Sequence, residues 1–145
     1  MPSKRKPLKA KPNPAGYSNR RLADKLGLKP CTAKAILEAP EGFESLIGTD
    51  DFDTSLDQDT YDFIHFFASA EIALRNIFPV VAKRLKPNGM VWISWPKKSS
   101  GVETDLTENI VREIGLTNGL VDVKICSIDS KWSGLKFMYR LKDRP

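Results

Sequence analysis

Hydrophobic and polar positions change period several times along this chain, and each change marks an element. Residues 61–68 (Tyr-Asp-Phe-Ile-His-Phe-Phe-Ala) and 90–95 (Met-Val-Trp-Ile-Ser-Trp) are nearly continuous apolar runs. Strands buried on both faces beneath helices have that pattern. Between them, after Ser69 and Glu71, Ile72, Ala73, Ile77, Val80, Val81 and Leu85 recur at helical spacing. Pro79 inside that repeat predicts a kink or a break. Lys83, Arg84 and Lys86 suit the negative end of the helix, and residues 86–89 (Lys-Pro-Asn-Gly) read as a turn.

Toward the amino end, Ser18 or Asn19 can cap a short helix holding Leu22, Ala23 and Leu26, with Gly27 as its left-handed terminator. Residues 32–39 read as a first strand, with Ala33, Ala35 and Leu37 on one face and Ile36 on the other. Residues 41–47 suit a short helix whose apolar side is Phe43, Leu46 and Ile47, and 50–56 a short edge strand directing Phe52 and Leu56 inward. After a loop at 96–101, Thr104 or Asp105 is expected to cap a helix running to about Ile114, since Asp105 and Glu108 have capping-box spacing. The last stretch has period two. Val121, Val123 and Ile125 alternate with Asp122, Lys124 and Cys126, then Leu135, Phe137, Tyr139 and Leu141 with Lys136, Met138, Arg140 and Lys142. Two strands with one wet face predict an antiparallel pair at a sheet edge.

The expected order is therefore β-α-β-β-α-β-α-β-β. It implies an α/β three-layer sandwich with a mostly parallel sheet, closed at one edge by an antiparallel carboxyl-terminal strand pair, and right-handed crossovers placing helices on both faces. At 145 residues the chain is one domain's worth, expected to span 16–145.

Charge divides the chain. Residues 1–30 hold nine basic side chains and one acid, Asp24, whereas the remainder holds 14 basic and 17 acidic ones. Residues 1–15, with Pro2, Pro7, Pro12 and Pro14 among lysines, bury too little apolar area to offset ordering and are expected to form a mobile basic arm. No apolar segment of signal-peptide type follows the first lysines, and no run approaches a membrane span, so a cytoplasmic chain with no membrane partner is expected. Cys31 and Cys126 read as two buried free thiols. With a single histidine, His65, no set of zinc ligands is available and no metal is expected. His65 lies between Ile64 and Phe66, where a satisfied core histidine is the simple reading. Asp59 and Asp62 can pair, although loop acids commonly just face water.

Residues 96–108 leave the carboxyl end of a central strand and lead into a helix start, where open α/β sheets bind ligands. Backbone N–H groups near Thr104 and Thr107, with Lys97, Lys98, Ser99, Ser100 and Gly101, make a candidate site for a small anion or a protein partner. The same residues suit a plain turn and cap, and Asp105 and Glu108 would repel an anion that they faced. Trp132 in the polar loop 129–134 can stack on a ligand ring or cover the core, the second being the more usual role of tryptophan. Residues 20–37 have a different reading, because Leu22-Ala-Asp-Lys-Leu-Gly-Leu resembles the first helix and turn of a helix-turn-helix beside a basic arm. That reading implies a nucleic-acid partner contacted through residues 1–30. Ala33 is small for an anchor of the second helix, and no third helix precedes the motif.

Two stretches resemble S-adenosylmethionine-dependent methyltransferases of the Rossmann-like class. Tyr61-Asp-Phe-Ile-His-Phe-Phe, followed by a helix and Arg84-Leu-Lys-Pro-Asn-Gly-Met-Val-Trp-Ile-Ser, is similar to that family's central strand, helix and next strand. Leu28-Lys-Pro-Cys-Thr-Ala-Lys-Ala-Ile-Leu-Glu resembles the entry to its first strand. Where the family has a glycine-rich turn, this chain has Glu38-Ala-Pro-Glu-Gly-Phe-Glu, with one glycine and a proline. As a cofactor-dependent enzyme, the resemblance implies Glu38, Gly42 and Asp57 around S-adenosylmethionine, with Asp57 as the acidic ribose ligand. The departure at the turn instead implies no cofactor and no catalytic residue, hence a non-catalytic or accessory module. Over nearly its whole length the chain also resembles an uncharacterised family of small bacterial proteins, through Gly16-Tyr-Ser, Ala39-Pro-Glu-Gly-Phe, Trp95-Pro-Lys-Lys-Ser-Ser-Gly-Val-Glu-Thr-Asp and Trp132-Ser-Gly-Leu-Lys-Phe. That resemblance implies a fold and no chemistry.

Overall fold

Strong β-formers in short runs, separated by amphipathic helical stretches, fold here into a five-stranded open sheet with helices on both faces. The structure is a computed structural model that describes residues 21–144. The expected arm at 1–15 and the caps Ser18 and Asn19 lie outside the described residues. In chain order the elements are α1 (Leu22–Leu26), β1 (Lys34–Leu37), α2 (Phe43–Ile47), β2 (Tyr61–Phe67), α3 (Glu71–Lys83), β3 (Leu85–Pro96), α4 (Glu108–Thr117), β4 (Leu120–Ser127) and β5 (Trp132–Tyr139). The strand order is β1-β2-β3-β5-β4. Strands β1, β2 and β3 pair in parallel, β5 runs antiparallel to β3, and β4 antiparallel to β5. The carboxyl-terminal pair thus extends the sheet and leaves β4 as an open edge, in place of the closed edge expected.

Because the central strands are apolar on both faces, the sheet supports two core layers. On one side Leu74, Phe78 and Val81 of α3 and Val111 and Ile114 of α4 pack on Ala35, Ile64, Val91, Ile93, Leu135 and Phe137. On the other, Leu26 of α1 and Phe43 and Ile47 of α2 pack on Ile36, Phe63, Phe67 and Trp92. Trp92 Nε1–H donates to Leu26 O at 2.8 Å, tying α1 to the sheet. Ala35 and Leu37 face the first layer and Ile36 the second, the alternation expected of β1.

Several expectations change in three dimensions. Residues 50–56 form no strand. Only Asp53 bridges to β1, through Asp53 N–H to Lys34 O and Ile36 N–H to Asp53 O, both at 2.8 Å, since this stretch of Asp, Thr and Ser has little strand propensity. Residues 86–89 belong to β3 as an irregularity, because Tyr61 pairs with Leu85 while Phe63 pairs with Met90. Gly89 is needed there, since a Cβ would stand 3.0 Å from the Tyr61 carbonyl. Pro79 lies inside α3 without ending it. The helix-turn-helix reading of 20–37 is overturned, because Lys34–Leu37 is a fully buried strand pairing with β2, leaving α1 with no second helix of that motif.

In β4 the register shifts between Asp122 and Lys124, and Val123 and Ile125 are left half exposed where an inward apolar face was expected. The shift reorients successive side chains. Asp122 receives the Arg112 guanidinium of α4 at 2.9 Å, and Lys124 reaches Lys25 O at 3.2 Å on the α1 side. Cys31 is exposed at φ 63 and Cys126 partly so, rather than two buried thiols. No described helix is long and apolar enough to cross a membrane.

Candidate functional site

The carboxyl ends of β1 and β2 open into a crevice divided by Glu38. This residue follows β1 directly and takes the left-handed φ of 59°, unusual for a side chain other than glycine. On one side a cavity of about 570 Å³ lies between Glu38, Phe67, Ser69, Asn76 and Trp132. On the other, a cavity of about 550 Å³ lies between Glu38, Pro40, Gly42, Glu44, Asp50 and Phe52. A third, about 320 Å³, lies between Pro40, Phe43 and Trp132. The two larger cavities fall in the usual range for small-molecule sites, at the end of the sheet where open α/β folds bind ligands.

The site is built from residues whose sizes suit it. Ala68, Ser69 and Ala70 carry the chain from β2 into α3 with small side chains, which keeps the first cavity open. Trp132 opens β5, stacks edge-on against Phe67 with ring centroids 5.1 Å apart, and lines both the first and third cavities. It therefore covers core and borders open space at once. Gly42 has φ 86° and nothing within 4 Å of where a Cβ would stand, so its backbone is accessible in the second and third cavities. Pro40, in the same turn, offers no N–H.

The charge of the crevice is one-sided. Glu38, Glu41, Glu44 and Asp50 border the second cavity, and among the described residues no Lys or Arg lines either of the two larger cavities. Among the described residues these carboxylates do not converge into a group able to hold a metal ion. They favour a ligand with hydroxyl groups and positive charge and disfavour a bare anion.

Several of the residues named for an anion site make hydrogen bonds within the fold. Lys97 Nζ donates to Ser127 Oγ at 2.7 Å, and Ser100 Oγ to Lys97 O at 2.6 Å within a short 3-10 turn that Gly101 ends. Thr107, and not Thr104 or Asp105, caps α4 by accepting Ile110 N–H at 3.2 Å. Thr104 Oγ1 donates to Ser69 O at 2.6 Å, while Asp105 Oδ1 accepts Glu71 N–H at 2.7 Å. The loop thus caps the start of α3, a partner distant in sequence. Lys98 and Ser99 are exposed, and of the candidate ligand-binding residues none from 97–107 lines the crevice, whereas Trp132 of the 129–134 loop does. Replacing Asp105 by Ala is expected to cost about 1 kcal/mol in urea denaturation by removing a cap. An unchanged midpoint would separate Asp105 from the stability of α3.

Of the residues that the enzyme reading named, Glu38 and Gly42 line the crevice and Asp57 does not. Asp57 N–H is bound to Tyr61 Oη at 2.9 Å near the start of β2. Phe67, Ser69, Asn76 and Asp50 were not singled out from the sequence. The available signal was the run of small residues at 68–70 directly after a buried strand. Asp62 accepts Ala33 N–H at 2.9 Å and Lys86 Nζ at 3.2 Å near the amino ends of the strands, not Asp59.

Beneath the crevice lies a buried polar pair. His65 Nε2 and Ser94 Oγ are 2.7 Å apart, both residues fully buried, and His65 stacks on Phe67 with centroids 4.3 Å apart. Among the described residues Nδ1 has no partner, so the expectation of a satisfied core histidine holds for one nitrogen only.

No protein-family model matches the chain, and no curated protein matches it by sequence. Its fold has solved counterparts. A SAM-dependent methyltransferase from Aquifex aeolicus is 14% identical with a TM-score of 0.61, the match covering 83% of this chain and 88% of that one. A ribosomal protein L11 methylase from Lactobacillus delbrueckii subsp. bulgaricus is 14% identical with a TM-score of 0.56, covering 82% and 75%. Magnesium protoporphyrin IX methyltransferase from Synechocystis PCC 6803, solved with bound SAM, is 10% identical with a TM-score of 0.55, covering 82% and 74%. At these identities the likeness is one of fold. The expectation that this architecture goes without a cofactor is corrected, since the Synechocystis protein carries SAM on the same fold.

Proposed function

We propose that the chain binds S-adenosylmethionine in the crevice flanking Glu38 and acts as a divergent methyltransferase. The observation that carries this reading is the pair of cavities that share Glu38 beyond β1 and β2, one of them lined by four carboxylates, in a sheet whose fold is that of methyltransferases. The donor set suits such a ligand. Glu38 and Asp50 accept from ribose hydroxyls and favour positive charge, Gly42 lets the nucleoside approach the backbone, and Trp132 covers one side and excludes water. Bound there, S-adenosylmethionine supplies a methyl group on a positively charged sulfur. Ser69 and Asn76, in the first cavity, offer a hydroxyl and an amide to the methyl acceptor. Asp50 takes the position toward the ribose that the sequence resemblance gave to Asp57.

A second reading, a module that binds the nucleoside without transferring the methyl group, rests on Pro40 and on Gly42 being the one glycine in the turn after β1. Transfer of label from methyl-labelled S-adenosylmethionine into cell extract separates the two.

Calorimetric titration of the full chain with S-adenosylhomocysteine tests the binding itself. Stoichiometric binding is expected, with Trp132→Ala about tenfold weaker, Glu38→Arg abolishing the heat, and Lys98→Ala unchanged. No heat at millimolar ligand, or binding indifferent to Glu38→Arg, overturns the proposal.

A further inference from the structure

The two larger cavities of the crevice differ in chemistry. Four carboxylates border the second, Glu38 among them. The first, of about 570 Å³, has aromatic walls at Phe66, Phe67 and Trp132 and the small side chains of 68–70 at its base. Its neutral polar groups are those of Ser69 and Asn76, and Glu38 is its one carboxylate. Among the described residues no Lys, Arg, His, Tyr or Cys lines it. The single histidine of the chain, His65, is fully buried against the ring of Phe67, with centroids 4.3 Å apart.

Such a lining sorts methyl acceptors by charge and by protonation. A phosphate or a carboxylate would give up its water beside Glu38 with no cation to replace it. A hydroxyl or an alkylammonium must shed a proton before it can act as a nucleophile, and a carboxylate is too weak a base to take that proton. A ring nitrogen of the pyridine type meets neither obstacle. It is uncharged at neutral pH, its lone pair lies free in the ring plane, and its apolar body suits aromatic walls.

We propose, resting on the methyltransferase reading of the crevice, that the first cavity takes an uncharged nitrogen heteroaromatic as the methyl acceptor. The lone pair of the ring nitrogen forms the bond to the methyl carbon, the carbon–sulfur bond breaks with its electron pair left on sulfur, and no proton moves. The positive charge thereby passes from sulfur to the ring. Glu38 borders both cavities, so one carboxylate stays beside that charge before and after transfer.

Calorimetric titration of the full chain, saturated with S-adenosylhomocysteine, tests the acceptor with isoquinoline as the probe. One equivalent is expected to bind at up to millimolar concentration. The cation that transfer would form, 2-methylisoquinolinium, should bind at least as tightly, and isoquinoline-3-carboxylate about tenfold more weakly. Ala73→Phe, at an exposed position of α3 that lines the first cavity and not the second, is expected to abolish isoquinoline binding and to leave S-adenosylhomocysteine binding as in wild type. Glu38→Gln is expected to lower affinity for the cation about tenfold relative to isoquinoline, and an unchanged ratio overturns the part given to Glu38. With S-adenosylmethionine in place of the homocysteine product, mass spectrometry should find 2-methylisoquinolinium. Binding of S-adenosylhomocysteine without isoquinoline, preference for the carboxylate, or isoquinoline binding indifferent to Ala73→Phe overturns the acceptor class and leaves the methyltransferase reading standing. Binding of neither ligand overturns both.

Discussion

Between pH 6.5 and about 3 the protein is expected to lose several kcal/mol of stability through one side chain, His65. Its imidazole is fully buried, and burial lowers its pKa from 6.5 to about 3. The folded pKa lies below the unfolded one, so the neutral ring's contribution is complete above pH 6.5 and is lost as pH falls toward 3, because the unfolded chain takes up the proton first. At about 1.4 kcal/mol per pH unit the full difference is of order 4–5 kcal/mol, a large share of the stability of a small domain. Among the described residues the surroundings offer the cation no counter-charge. Phe43, Phe67 and Trp92 have ring centroids 5.4, 4.3 and 6.5 Å away, and the one polar partner is Ser94 Oγ. The check is urea denaturation across this window for wild type and for His65→Leu/Ser94→Ala, which removes both polar partners together and so leaves neither stranded. The stability of the wild type relative to the variant should fall steadily with pH. A level difference would show that His65 does not titrate on unfolding. Asp53, held below 3.8 by hydrogen bonds from Tyr61 and Gln58, and Asp122, held there by Arg112, lose their contributions below 3.8 and are common to both proteins.

Gly115→Ala is expected to destabilise the fold by about 1–3 kcal/mol, against helix propensity, which alone favours Ala by about 1 kcal/mol. Gly115 sits in α4 where the helix crosses Phe137 of β5, and a Cβ there would stand 2.1 Å from Phe137 Cε1 and 2.5 Å from Cδ1. The ring has nowhere to go. It is fully buried and packs edge-on against Phe78 of α3 at 5.5 Å. Gly115→Val, larger and β-branched, should not fold to the native state. Thermal and urea unfolding of Gly115→Ala, Phe137→Leu and the double variant provide the check. In the double variant the costs should fall short of additivity, since the smaller side chain makes room for the added methyl. A Gly115→Ala protein at least as stable as wild type would mean that α4 does not approach β5 this closely.

Both effects depend on contacts between segments far apart in the chain, and that is where reading the residues in order ran out. Buried strands β2 and β3 were recognisable because nearly continuous apolar runs, at 61–68 and 90–95, leave no wholly polar face, whatever the rest of the chain does. Helix α1 was equally plain from Leu22, Leu26 and Gly27, since a helix stop is a local event. The cap of α3 was not local. Asp105 has the spacing to cap its own helix, yet it bonds Glu71 N–H, because the tertiary path of 96–107 brings it to the start of α3. The apolar face assigned to β4 failed for a related reason, as the register is set by pairing with β5 and one irregularity reorients the side chains beyond it.

The candidate site divides the same way. Glu38 and Gly42 were named through the resemblance to the methyltransferase first strand and turn, and they reach the crevice because they directly follow a strand end, where the path of the chain is set by a few neighbouring residues. Asp57 was placed by its position after a strand that does not form, and the structure sends it to the start of β2. What the amino-acid order decided by itself was the kind of element that the strongly periodic runs become and the division into a basic leading segment and a more acidic body, because periodicity and charge are summed over neighbours. Tertiary structure alone decided which carboxylates share a cavity and how deeply His65 is enclosed. Those depend on strand order and register, and register is settled only when both core layers close against the sheet.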